Sequence, residues 1–147
     1  MFSFLLVFVV IFGINTSYWR RKIDYLQEDL DKNRSLFPEI MKFRCELKND
    51  QDELFGMTIN KSSLSYWVME KNDCIVDYVE YYSREISLLE KLRRYERYES
   101  AFIPFYSLAP HYDEQKLQAK SYLMMVVKLV EFADAKTQEK MMRALCL

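Results

Sequence analysis

The hydrophobic pattern begins with an uninterrupted apolar stretch at the amino end of the chain. Residues 2–19, FSFLLVFVVIFGINTSYW, contain no charged side chain, and three basic residues follow directly at positions 20–22. A helix of this length spans about 27 Å, close to the hydrocarbon core of a bilayer, roughly 30 Å thick. The pattern predicts a membrane-anchor helix with a basic flank over residues 1–22. A separate domain over residues 23–147 would follow it.

Two further interpretations of this stretch remain open. Its strictly apolar part, residues 4–14, also has the length of the hydrophobic region of a cleavable signal peptide, with a weak cleavage site near residues 13–17. The other interpretation is a helix buried in the core of a soluble complex. A retained anchor is favoured by the missing basic region before the stretch, and by Tyr18 and Trp19 beside the basic residues. The predicted anchor and its flank comprise Phe4, Leu5, Leu6, Phe8, Ile11, Phe12, Trp19, Arg20, Arg21 and Lys22.

The side of the membrane depends on two signals that disagree. The basic flank after the apolar stretch predicts a single-pass protein whose carboxyl-terminal domain is cytoplasmic. Asn15, Asn33 and Asn60 each begin an N-glycosylation sequon, which is typical of secreted proteins but also arises by chance. A secreted or periplasmic protein therefore stays an alternative. In an oxidising compartment Cys45 and Cys74 would be the candidate disulfide pair.

Apolar residues at helical spacing continue after the anchor. Trp19, Ile23, Leu26 and Leu30 follow one another at steps of four, three and four, so the first helix is predicted to continue to a turn at residues 33–35. The stripe then fades into polar residues. The anchor and the start of the following domain would thus share one helix.

The same spacing predicts the remaining helices. They cover residues 38–55, residues 62–100 with an interruption at residues 71–73, a segment that begins near Pro110, and a short last helix. Residues 122–132 are apolar at nine of eleven positions, which indicates the central, most buried helix. With only two glycines and three prolines, the chain favours long helices over turn-rich β structure. We expect an all-α fold, the anchor helix followed by a bundle of four to five helices.

Charge argues against nucleic acid as a partner. The chain has 21 basic and 22 acidic residues, a net charge of -1. Residues 1–22 hold three basic and no acidic residues, so the remaining domain has 18 basic against 22 acidic residues, or -4. Sequence-independent binding to nucleic acid needs a basic face that displaces counterions. We therefore expect a membrane and an unidentified protein as partners, and no nucleic acid.

Candidate catalytic chemistry is sparse. His111 is the single histidine, whereas a histidine-based metal site in a helical bundle needs at least two. The charged ends of Lys128 and Glu131, within the apolar residues 122–132, are expected to reach the edge of the bundle. The alternative, a buried pair that acts with His111, is the only enzymatic hypothesis we retain. We expect no enzyme, no cofactor and no metal.

Two features point to binding surfaces. The predicted partner surface is an apolar loop within residues 101–112, comprising Phe102, Ile103, Phe105 and Tyr106, and the apolar seam of the third helix is a second candidate. Basic residues alternate with Tyr95 and Tyr98, a pattern found on lipid- and RNA-binding surfaces. The cluster comprises Lys91, Arg93, Arg94 and Arg97. Glu90, Glu96 and Glu99 lie among them and predict a solvated face of mixed charge.

The functional prediction is a non-enzymatic, membrane-anchored helical interaction or scaffold protein, a subunit or adaptor of a larger assembly. The alternative is a secreted or periplasmic α-helical inhibitor or immunity-type binding protein with a cleaved signal peptide.

Overall fold

The all-α prediction is confirmed by the structure, a computed structural model. It describes the backbone of residues 2–56, 61–100 and 109–146 and the side chains of residues 4–50, 64–100 and 110–146. Within these ranges the chain is helical apart from short turns, and it contains no strand. The elements in chain order are α1 (Phe2–Arg34), α2 (Phe37–Gly56), α3 (Lys61–Glu70), α4 (Asn72–Glu99), α5 (Ala109–Val127), a 3₁₀ segment (Lys128–Phe132) and α6 (Ala135–Leu145).

Helix α4 is the centre of the bundle. It packs against each of the other five helices, and its side chains at Ile75, Tyr78, Val79, Leu89 and Leu92 are fully buried. The predicted interruption at residues 71–73 is confirmed, because a single residue separates α3 from α4. The seam of the third predicted helix is therefore core, and the idea that a partner docks on it is wrong.

Helices α1 and α4 run antiparallel. The ring centroids of Trp19 and Tyr98 are 4.9 Å apart, and at the other end of α1 the Asn33 Nδ2 donates a hydrogen bond of 3.2 Å to the backbone oxygen of Tyr81. As the residue numbers rise along α1, the residue numbers of its neighbours on α4 fall. The carboxyl-terminal end of α4 therefore lies beside Trp19, where the apolar first part of α1 begins to leave the bundle.

The bundle has two apolar cores along α4. One joins the second half of α1 to the second half of α4, through Ile23, Leu26 and Leu30 against Leu88, Leu89, Leu92 and Tyr112. The other collects α2, α3, α5, the 3₁₀ segment and α6 around the first half of α4. The helical spacing from Trp19 to Leu30 correctly predicted the face of α1 that is buried.

The prediction that residues 122–132 form the most buried helix is wrong. The run is divided between α5 and the 3₁₀ segment, and of its side chains only Val126 and Leu129 are buried. Met124 is 71% exposed. A run that is apolar nearly all round has no periodicity that identifies one buried face, so it does not indicate which helix the others surround.

Buried tyrosines give the fold a predicted sensitivity to alkali. Burial is the main cause that raises the pKa of Tyr78, Tyr81, Tyr82 and Tyr112 above the ordinary value of 10.0. The folded state thus favours the neutral phenols, and their contribution is complete below about pH 10 and lost as the pH rises above it. We expect the free energy of unfolding to fall above about pH 10.

The measurement compares tyrosinate absorbance with far-ultraviolet circular dichroism during an alkaline titration. A fraction of the eleven tyrosines should ionise only as helicity is lost. Ionisation of every tyrosine in one step near pH 10.0, with helicity intact, would contradict the burial of these side chains.

Candidate functional site

The first three turns of α1 form an apolar projection, which we define as residues 4–14. Its aliphatic side chains at positions 5, 6, 7, 9, 10 and 11 are between 50% and 67% exposed. Because successive residues of an α-helix are about 100° apart, these six positions cover about two-thirds of its circumference. Phe4 and Phe8, which are 87% and 63% exposed, lie in the remaining sector, so apolar side chains are exposed on every face. Helices that are apolar all round are normally buried in a protein core or in a bilayer.

The projection is continuous with the rest of α1. The Thr16 hydroxyl donates a hydrogen bond of 2.8 Å to the backbone oxygen of Phe12, and the Trp19 indole N–H donates one of 3.0 Å to the Asn15 side chain. Residues 2–34 form one unbroken helix. In the described part of the chain, no helix is both long enough and apolar enough to cross a membrane, so the predicted single-pass span lacks support.

The residues at the base of the projection connect α1 to the end of α4. Trp19 packs against Tyr95 and Tyr98, with ring centroids 5.2 Å and 4.9 Å away. The Arg20 guanidinium lies 3.8 Å from the Glu99 carboxylate. The predicted interfacial aromatic Trp19 is therefore partly used for packing within the bundle, whereas Tyr18 is 53% exposed.

Beside this junction lies a groove of about 420 Å³ lined by basic residues, which we call the basic groove. It is lined by Glu90, Arg93, Arg94, Arg97, Tyr98 and Lys116. Four of these six side chains are cationic and one is acidic. The groove therefore contains most of the basic cluster that the sequence indicated, together with Lys116 from α5, which sequence spacing could not assign to it.

The acidic residues interspersed with the cluster do not neutralise the groove. Glu96 is 7% exposed and lies in the bundle interior, and Glu99 pairs with Arg20 on α1. Only Glu90 of the three reaches the groove. The cluster faces solvent, as predicted, since Glu90, Lys91, Arg94 and Arg97 are exposed. Its acidic share is smaller than the sequence indicated, because the helical twist separates Glu96 and Glu99 from their neighbours in sequence.

Two of the four cationic side chains in the groove form ion pairs. The Arg93 Nε lies 2.9 Å from the Asp113 carboxylate, and the Lys116 Nζ lies 3.6 Å from both Glu90 and Asp113. Arg94 and Arg97, both exposed, form no ion pair with a side chain of the described ranges. These two guanidinium groups remain available for an external anion.

A second, partly buried polar cluster joins α1, α4 and α5. The Arg34 guanidinium lies 3.1 Å from the Glu85 carboxylate and donates a hydrogen bond of 2.8 Å to Gln115. Nearby, the Arg44 guanidinium lies 3.7 Å from the centre of the Tyr122 ring. Because these charges already have partners within the protein, the cluster is structural.

The enzymatic hypothesis gains no support from the geometry. Lys128 and Glu131 are exposed, as expected for charged heads at the edge of the bundle, and they form no buried pair. His111 is exposed too, with its Nε2 2.6 Å from the side-chain nitrogen of Gln115. Among the described residues, no group of three or more His, Cys, Asp or Glu side chains is placed to hold a metal ion.

Features tied to a secretory location are mixed. Cys45 and Cys74 are free and exposed, and no disulfide joins them in this structure. Asn33, the acceptor residue of one sequon, is 3% exposed and donates a hydrogen bond to Tyr81, so the folded domain cannot carry a glycan there. Asn60 lies outside the described residues.

The predicted partner surface, Phe102, Ile103, Phe105 and Tyr106, also lies outside the described residues and stays a prediction. The residues that precede and follow this segment are the end of α4 and the start of α5, close to the base of the projection. The geometry of the described residues thus offers two adjoining surfaces, the apolar projection and the basic groove. Protein-family models, curated proteins and solved structures provide no match to the chain.

Proposed function

We propose that this protein is a non-enzymatic helical interaction protein that attaches to a membrane by its apolar projection. The bundle would then hold a protein partner at that membrane as part of a larger assembly. The supporting observation is the exposure of apolar side chains, aliphatic and aromatic, on every face of residues 4–14. Transfer of each half-exposed side chain from water into hydrocarbon is favourable by the order of 1 kcal/mol.

The spacing of apolar and basic residues along α1 favours lipid as the environment of the projection. Residues 4–14 extend about 16 Å along the helix axis, roughly half of a hydrocarbon core. A segment of this length can enter the bilayer but is too short to cross it. From Ile14 to Arg20 the helix rises about 9 Å, comparable to the headgroup layer of about 5–8 Å. Arg20, Arg21 and Lys22 would therefore lie at the level of the lipid phosphates.

Two observations support retention of the projection over its removal as a signal peptide. Residues 13–17, the weak cleavage site, lie inside the continuous helix α1, and Trp19 just beyond them is packed against α4. The basic flank supports a cytoplasmic bundle, because the anionic lipids of the cytoplasmic leaflet attract Lys and Arg near the surface. The alternative, a secreted or periplasmic binding protein, requires a mature amino terminus near Tyr18. The intact mass of the natively expressed protein distinguishes these two forms.

Replacing Val9 with aspartate is the direct test. Val9 is 58% exposed and central in the projection, so the change should leave the bundle folded. An acidic residue at the centre of an inserted helix costs about 2.5–3.5 kcal/mol. We expect the Val9→Asp variant to bind neutral phosphatidylcholine vesicles about 100-fold more weakly than the wild type, measured by flotation.

Met124→Asp is the matched control. Met124 is an apolar residue that is 71% exposed, and it lies on α5 beyond Tyr122, which contacts the first half of α4, far from the projection. This variant should bind vesicles like the wild type. The proposal is wrong if full-length wild-type protein stays in the aqueous fraction beside neutral vesicles, or if Val9→Asp floats as efficiently as Met124→Asp.

A further inference from the structure

We propose that the basic groove binds the headgroups of anionic phospholipids. This inference rests on the proposed function, because it assumes that the neighbouring apolar projection enters the bilayer. It adds a lipid class to that function, since the groove would give the protein a preference for negatively charged membranes. The residues that would contact the headgroup are Arg94 and Arg97, with Tyr98 beside them.

The position of the groove is the first reason to expect contact with lipid headgroups. Tyr98 belongs both to the groove lining and to the contact with Trp19, at a ring-centroid distance of 4.9 Å. The antiparallel packing therefore places Arg97 and Tyr98 at the level of Trp19, and Arg94 about one helical turn further from the projection. This is the level at which Arg20–Lys22 would meet the headgroup phosphates. A groove at this height faces the headgroup layer and not the hydrocarbon.

The charge of the groove is the second reason to expect contact with anionic headgroups. Arg93 and Lys116 share the carboxylates of Asp113 and Glu90, so these four charges cancel. Arg94 and Arg97 leave a local charge of about +2, which attracts anionic lipid at the surface. A guanidinium also presents parallel N–H donors that match two phosphate oxygens. The tyrosine ring at the rim suits the boundary between apolar and wet layers.

These two arginines are not needed to hold the bundle together. Both are exposed, and neither pairs with an acid among the described side chains. Arg97 does lie in the last turn of α4, where a cation favours the helix terminus. The test therefore includes a measurement of thermal stability.

The experiment uses the full-length double variant Arg94→Gln/Arg97→Gln and two kinds of vesicle. One kind is phosphatidylcholine alone, and the other contains about one-third phosphatidylserine to supply negative surface charge. We expect the wild type to bind the anionic vesicles more tightly. The affinity of the double variant for anionic vesicles should fall about fivefold per arginine, or about 25-fold in all, and its affinity for neutral vesicles should not change. Added salt should reduce the wild-type advantage, because it screens surface charge.

Lys136→Gln/Lys140→Gln provides the matched control, with the same loss of charge from exposed positions on α6. Helix α6 lies at the start of α4, where the Asn72 amide donates to the Thr137 hydroxyl at 2.6 Å. Asn72 and Arg97 are about 37 Å apart along α4, well beyond a screening length of about 10 Å. The affinity of the control for anionic vesicles should therefore fall by less than about twofold.

The possible outcomes separate this inference from the proposed function. If the wild type does not bind neutral vesicles, the proposed function fails, and this inference, which rests on it, fails too. If the wild type binds both kinds equally, or the arginine variant matches the lysine control, the inference is overturned and the proposed function stands. Equal loss on neutral and anionic vesicles would also overturn the inference, because the groove would then not recognise charge.

Discussion

Replacement of Tyr78 with alanine is expected to lower the free energy of unfolding by about 3–5 kcal/mol. Tyr78 is fully buried on the central helix, and its ring packs against Phe43 and Tyr82, with centroids 5.7 Å and 4.7 Å away. Its hydroxyl donates a hydrogen bond of 3.2 Å to the backbone oxygen of Tyr122. The truncation removes apolar contacts to α2, leaves a cavity and removes a hydrogen bond to a carbonyl of α5.

The measurement is urea unfolding followed by circular dichroism. Tyr66→Ala is the control, because Tyr66 is 71% exposed, and its loss should cost less than about 0.5 kcal/mol. Tyr78→Phe isolates the hydrogen bond and should cost about 1 kcal/mol. Equal midpoints for Tyr78→Ala and Tyr66→Ala would show that α4 does not occupy the centre of the bundle.

Replacement of Arg34 with methionine is expected to cost about 2–3 kcal/mol. The Glu85 side chain is 11% exposed, and Arg34 is its ion-pair partner at 3.1 Å. The variant keeps an unbranched apolar stem but leaves the Glu85 carboxylate largely buried without its cation. It also removes the hydrogen bond to Gln115 that connects α1 to α5.

Arg143→Met provides a control with the same residue types. Arg143 and Glu139 are 2.6 Å apart, but their side chains are 78% and 63% exposed, so water already solvates both charges and the loss should be below about 0.5 kcal/mol. In a Glu85→Gln background the cost of Arg34→Met should fall to about 1 kcal/mol, since no charge is then left unpaired. If the two arginine variants unfold at the same urea concentration, Glu85 is not desolvated.

Local patterns predicted the helices because they depend on neighbours in sequence. The 4-3-4 spacing from Trp19 to Leu30 identified the buried face of α1, since residues three and four apart lie on one side of any helix. The break at residues 71–73 was equally local. The uncharged run at the amino end predicted an apolar helix, and residues 4–11 are indeed helical and exposed.

The relations between helices could not be read from these patterns. Residues 122–132 are the more apolar run, yet the centre of the bundle is α4, because what surrounds a helix depends on how all its neighbours pack. The groove shows the same limit. Arg94 lies between Glu90 and Glu96 in the sequence, but Glu96 is buried while Lys116 from α5 joins the groove.

The sequence by itself determined that this chain is helical, where most helices begin and end, and that its amino end is an apolar helix with a basic flank. Only the tertiary structure decided which charges meet. It placed the end of α4 beside the base of the projection and so brought to that level two arginines that have no acidic partner among the described side chains. Periodicity reports the face of one helix, whereas a charged groove depends on the packing of two, and residues 18 positions apart such as Tyr98 and Lys116 become neighbours only through the fold.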